Sequence, residues 1–127
     1  MSEKIIESKA EHKNFSSPDE VRKFEKGKLE LINIGGSFVG RFTLEPGWRW
    51  SKHVKPIAKT ELCEVPHSQY LVSGRMRILM ADGNESEAGP GEVVIIPPGH
   101  DAWVVGDEPV VAVDWAGLGI RHDYAKK

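Results

Sequence analysis

The sequence predicts an all-β protein, a sandwich or small barrel. Three observations carry this. Short apolar runs alternate with glycine- and proline-bearing turn signals along most of the 127 residues. No long window holds a helical period. Val93–Ile96 is an unbroken β-branched run between Gly91 and Pro97-Pro98-Gly99, the composition of a strand covered on both faces.

Taken in order, residues 1 to 28 read as an arm followed by a short helix or turn. The arm is polar and charged, with Ile5-Ile6 able to add a strand to a partner sheet. Ser17-Pro18-Asp19-Glu20 has the form of a helix start, with Ser17 as N-cap, Pro18 at the first helical position and Glu20 closing a capping box. Gly27 ends it. From Leu29 the period changes to two. Leu29 to Ile34 and Ser37 to Glu45 are strands around the turn Gly35-Gly36. After Pro46-Gly47, Trp48 to Val54 is another strand, with Trp48 and Trp50 on one face by parity. A loop with Pro56 leads to a short strand from Thr60 to Val65. Tyr70-Leu71-Val72 ends at Ser73-Gly74. Arg75 to Met80 alternates basic and apolar residues, placing Met76, Ile78 and Met80 inside and Arg75 and Arg77 in solvent. Asp82-Gly83 makes a hairpin turn. Val110 to Trp115 is the last strand, and residues 117 to 127 form a weakly structured tail.

The chain is long enough for one domain with a core of its own. Its net charge of −2 argues against a nucleic-acid partner, which calls for a basic excess. The single cysteine excludes an internal disulfide framework and suits a reducing compartment. No apolar run reaches the roughly 20 residues of a membrane span, and the N-terminus lacks the apolar region of a signal peptide. The expectation is a cytoplasmic protein with no membrane partner. There is no G-x-S-x-G elbow and no phosphate-binding glycine loop.

The stretch from His67 to Trp103 resembles the cupins, a family of small β-barrels. Gly91, Pro97 and Gly99 fit the family motif G-x5-P-x-G-x2-H, whose histidine position holds Ala102 here. His67-x6-Gly74 matches the closing half of G-x5-H-x-H-x3-4-E-x6-G, with histidine in place of glutamate. The resemblance covers residues 29 to 116, and it is to small bacterial single-domain members without an assigned function. It implies a cupin-type double-stranded, jelly-roll-like barrel over 29 to 116, with at most one short N-terminal helix.

The resemblance also implies a divalent metal in the barrel mouth, and two registers are open for its ligands. Gly47-x5-His53-x-Lys55 fits the opening spacing of the first motif. Glu61-x-Cys63 lies three residues before His67 and fits the closing spacing. The second register offers a carboxylate, a thiolate and an imidazole: Glu61, Cys63 and His67. Such a set suits zinc or iron, with nickel, manganese or copper as further candidates. The competing reading is that Cys63 is a small buried hydrophobe and His67 a hydrogen-bonded core residue.

The remaining pocket candidates are Arg49, His53, Gln69, Met76, Ile78, His100 and Trp103. Tyr70 or His53 would serve as proton donor. Asp101 would orient a ring nitrogen or pair at the surface, and Arg49, Arg75, Arg77 and Lys55 are candidates to hold a carboxylate. Two function classes follow. One is a metal-dependent oxygenase, isomerase or hydrolase acting on a small polar or organic acid. The other is a metal-free module that binds or senses a small molecule. A homodimer is expected, from Ile5-Ile6, the Trp48/Trp50 face and the strand edge that a small open barrel leaves.

Overall fold

The computed structural model describes residues 9–115 and 124–127. Among the described residues nine antiparallel strands form two sheets: β1 (Glu20–Phe24), β2 (Gly27–Ile34), β3 (Ser37–Leu44), β4 (His67–Ser73), β5 (Arg75–Met80), β6 (Glu85–Ala88), β7 (Val93–Ile96), β8 (His100–Val105) and β9 (Val110–Asp114). The larger sheet has the order β1-β2-β3-β9-β4-β7 and the smaller β6-β5-β8. Period-two alternation places one face of each sheet in a shared core. Leu29 and Leu31 of β2, Phe42 and Leu44 of β3, Leu71 of β4 and Val110 and Ala112 of β9 meet Met76 and Ile78 of β5 and Ala102 and Val104 of β8. Arg75 and Arg77 point outward as expected, each paired with Glu87 and Arg77 also with Glu85.

Three local expectations are corrected. The segment after Ser17 is strand β1, not a helix. Its Arg22 and Phe24 are buried at alternate positions, and it pairs with β2 from Glu20↔Leu31 to Phe24↔Gly27. The residues of the supposed cap do other work: the Ser17 amide closes a turn on Asn14 O, and Asp19 ties to β2, its amide donating to Leu31 O at 2.9 Å and its carboxylate accepting from the Asn33 amide at 2.8 Å. A capping box is a local preference, and pairing along a whole strand outweighs it.

The second correction concerns Trp48 to Val54. Arg49 makes only an isolated bridge to Trp103, and two short helices follow, α1 (Trp50–His53) and α2 (Lys55–Ala58). Trp50 and Val54 are four apart and both fully buried, so a helical turn buries a large apolar pair on one side. Pro56 sits in the first turn of α2, where its missing amide costs nothing. Trp48 and Trp50 are both core residues, so no exposed tryptophan face exists there. The stretch from Thr60 to Val65 is irregular apart from the bridge Cys63↔His100.

The third is β7. It is an edge strand, paired with β4, and only Ile96 is buried: Val93 and Ile95 project from the outer face of the sheet and are 62% and 66% exposed rather than covered. Gly74, by contrast, has the role its motif position suggests. Its φ is +78°, and a Cβ there would collide with the Pro109 carbonyl and lie 2.7 Å from Val110 Cα. Of the tail, Tyr124 and Ala125 are buried, not loose. Ile5-Ile6 and residues 117 to 123 lie outside the described residues.

Candidate metal centre

Three donors from three parts of the chain converge where the sheets meet. His67 opens β4 facing inward, His100 opens β8 in the other sheet, and Cys63 is bridged to His100. The bridge is fixed by backbone hydrogen bonds: Cys63 N to His100 O at 2.8 Å and Gly99 N to Cys63 O at 2.7 Å. Gly99, at φ +89°, supplies the positive backbone angle that folds Pro97-Pro98-Gly99 back onto Cys63. One thiol and one ring nitrogen from each histidine lie within 4.8 Å of one another, all on buried residues. Cys63 Sγ and His67 Nε2 are 3.9 Å apart. Two such ligands around a tetrahedral zinc would be about 3.6 Å apart, from ordinary Zn–S and Zn–N lengths.

The far side of each imidazole is already engaged. His67 Nδ1 is 2.6 Å from Asp114 Oδ2, and Asp114 is wholly buried. A carboxylate only accepts, so Nδ1 carries the hydrogen and the Nε2 lone pair faces Cys63. His100 Nδ1 lies 2.7 Å from Pro97 O, which likewise leaves its Nε2 free to ligate. A hydrogen bond donated by the ring nitrogen that does not ligate is how metal-binding histidines are ordinarily oriented. Burial, and then the neighbouring His67 ring, lowers His100 to about 4, so it is neutral at pH 7. Burial pushes the Cys63 thiol up to about 12, so a metal would have to displace its proton.

Beside the donors is a cavity of about 20 Å³, lined by His67, His100, Gln69, Trp48, Met76 and Tyr124 among others. That is room for one water-sized body. Gln69 Nε2 donates to Asp114 at 3.2 Å, but Gln69 Oε1 and Trp48 Nε1 are buried without a partner. Both residues line the cavity, so an acceptor and a donor are left for whatever fills it. The Tyr124 ring packs against Phe42 at 4.9 Å and His67 at 5.6 Å between centroids, and the Tyr124 carbonyl accepts from Arg22 at 2.9 Å. Tyr124 also lines a larger cleft of about 340 Å³ that reaches Cys63 from outside.

The sequence-derived candidates divide. Cys63 and His67 are brought together, and His100 joins them although it precedes the family's ligand position by two residues. Glu61 is not brought in: its carboxylate is 93% exposed and pairs with Lys55. Tyr70 lies on the opposite face of β4 from His67 and Gln69, and is exposed. His53 is buried but accepts the Arg49 amide at 3.0 Å through Nδ1, within its own helical turn. Arg49 stacks on Trp103 at 4.1 Å and pairs with Asp101 at 3.0 Å, a cluster of its own. Gln69 and Met76 line the inner cavity; Ile78 is buried in the core near them. Asp114 and Tyr124 were missed. Asp114 had a signal, since it shares parity with Val110 and Ala112 and so had to point inward as a charge. Tyr124 had none.

Comparison with solved structures places this architecture. A sugar phosphate isomerase from a cupin superfamily of Silicibacter pomeroyi superposes with a TM-score of 0.57 at 17% identity, over 82% of this chain and 73% of that one. The fold is that of a cupin. The polyketide cyclase RemF from Streptomyces resistomycificus has a TM-score of 0.59 at 18% identity, covering 86% of this chain and 80% of that one. A Rhizobium leguminosarum protein of unknown function has a TM-score of 0.58 at 20% identity, covering 84% and 97%. No protein-family model and no curated protein matches the sequence. At these identities the likeness concerns the cupin fold alone. The Cys63–His67–His100 cluster in this cupin barrel is compatible with a bound metal. No helix among the described residues is long and apolar enough to cross a membrane.

Proposed function

We propose that this cupin barrel binds one divalent transition metal through Cys63, His67 and His100, and offers it to a small polar or organic-acid ligand. The observation that carries the reading is the convergence of three buried donors whose two imidazoles are already oriented by Asp114 and Pro97 O. A thiolate with two imidazoles favours zinc, with iron next. When bound, such an ion supplies Lewis acidity toward an oxygen ligand. The protein's own groups do the rest. Asp114 holds the His67 tautomer, and burial limits the inner cavity to one water-sized body. Trp48 Nε1 donates to an oxygen in the inner cavity while Gln69 Oε1 accepts its hydrogen. A ligand larger than water is held in the outer cleft, which reaches Cys63 and shares the Tyr124 wall with the inner cavity.

A second reading rests on the Cys63 thiol. Burial favours its protonated form, which suits a metal-free module that binds a small molecule in the same cavity. Zinc titration of the stripped protein separates the two. The metal reading expects one zinc per chain and a raised melting temperature, by mass action on the folded state. Cys63→Ser and His67→Ala should each abolish most of that rise. No zinc-dependent rise in the wild type would leave the metal-free module.

A further inference from the structure

Strand β1 turns both of its buried side chains toward one residue near the end of the chain. Arg22 donates to the Tyr124 carbonyl at 2.9 Å, 102 residues away in sequence, and its Nε pairs with Glu20 at 2.7 Å. Phe24 meets the Tyr124 ring edge-on, 6.1 Å between centroids. The edge strand is thus a receptor for the turn at Tyr124 and Ala125. Ala125 holds that turn at φ +52°, a left-handed conformation that residues with a Cβ seldom adopt. The turn bears on the donor cluster. Cys63, His67 and His100 are all buried. Most walls of the inner cavity are strand residues fixed by backbone pairing. Tyr124, which separates that cavity from the cleft beside Cys63, belongs to neither a strand nor a helix.

We propose that the Tyr124–Ala125 turn is a gate over the donor cluster, with Arg22 as its latch. Its role in ion traffic rests on the metal reading above; the gate itself does not. Closed, the Tyr124 ring packs on Phe42 and His67 and stands between cleft and cluster. When the Arg22 bond breaks, the turn swings out and the cleft opens onto the Cys63 thiol. A bond from a guanidinium is strong, yet a single one breaks without unpairing any strand. Opening also leaves no bare buried charge. Arg22 keeps Glu20, whose side chain is 43% exposed and draws the pair toward water. Local openings of this kind lie well below global unfolding in free energy.

Cys63 is the single cysteine of the chain, so its modification reports the gate directly. The metal-stripped protein is treated with methyl methanethiolsulfonate, a small neutral thiol reagent, across a series of low urea concentrations. The wild type should react at a rate independent of urea there, the mark of a local opening. Arg22→Met should raise that rate about 10- to 100-fold, the weight of a hydrogen bond from a charged group. Glu20→Gln, a milder change that leaves the Tyr124 bond in place, should raise it less. Val104→Ala removes core volume in the other sheet, and should speed only the urea-dependent branch. With zinc, Arg22→Met should speed binding and release by the same factor and leave the dissociation constant unchanged. Thiol rates that shift as stated in a protein that takes up no zinc would remove the metal reading and keep the gate. A wild-type rate that follows global unfolding at every urea concentration overturns the proposal. So does an Arg22→Met protein that reacts at the wild-type rate, or one whose zinc affinity falls while its thiol rate is unchanged.

Discussion

His67 and Asp114 form a fully buried imidazole–carboxylate pair, 2.6 Å between Nδ1 and Oδ2, across adjacent strands β4 and β9. Gln69 donates to the same carboxylate oxygen. The pair fixes the ring so that Nε2 faces Cys63. Asp114→Asn keeps the shape but replaces an acceptor-only group by an amide that can present a donor. Zinc affinity, measured by competition with a chromogenic chelator, should fall by about 10- to 100-fold, the usual effect of losing such an orienting partner. Unchanged affinity would mean that the carboxylate does not set the ring.

His100 predicts an acid limb in the stability of the metal-stripped protein. Its pKa is depressed from 6.5 in the unfolded chain to about 4 in the fold, by burial first and the nearby His67 ring second. Below 6.5 the unfolded state binds a proton that the folded state does not, so stability falls as pH drops. The contribution is present above 6.5 and lost progressively down to about 4; it amounts to roughly 3 kcal/mol. Urea unfolding between pH 7 and 4, with chelator present, should show the decline. His100→Gln should flatten it by that share. An identical slope in the variant would contradict the buried, neutral imidazole.

Tyr124 is predicted to be both a core residue and the wall between cavity and cleft. Tyr124→Ala should cost about 3–5 kcal/mol, as large aromatic truncations do, and should speed the loss of bound zinc to a chelator. Tyr124→Phe keeps the ring against Phe42 and His67, and should release zinc at near the wild-type rate. Equal rates in all three proteins would show that the ring is not on the path.

The barrel was legible because its signals are repeated along the chain. Period-two runs and turn glycines recur from Leu29 to Asp114, and the Gly91-Pro97-Gly99 spacing marks β7 and the turn by which the chain crosses to the other sheet. The misread segments are short ones where a local preference conflicts with a partner distant in sequence. Ser17-Pro18-Asp19-Glu20 suits a helix until β2 is present to pair with. Trp48-Arg49-Trp50 reads as alternating until the i, i+4 pair Trp50 and Val54 is seen. Two of the three donors were visible, since Cys63 and His67 fall on the ligand spacing that the resemblance implies. His100 is two residues short of the motif's histidine position, yet the bridge Cys63↔His100 brings its ring in from the other sheet. Tyr124 reaches the site from a segment with no periodicity, and nothing along the chain announces it.

The most direct test of the central claim is X-ray absorption at the metal edge of zinc-loaded protein. The account predicts one sulfur near 2.3 Å and two imidazole nitrogens near 2.0–2.1 Å, with a remaining light-atom ligand. The sulfur shell should vanish in Cys63→Ser, and one imidazole should be lost in His100→Ala. A first shell of oxygens alone, or a sulfur shell that survives Cys63→Ser, would contradict it.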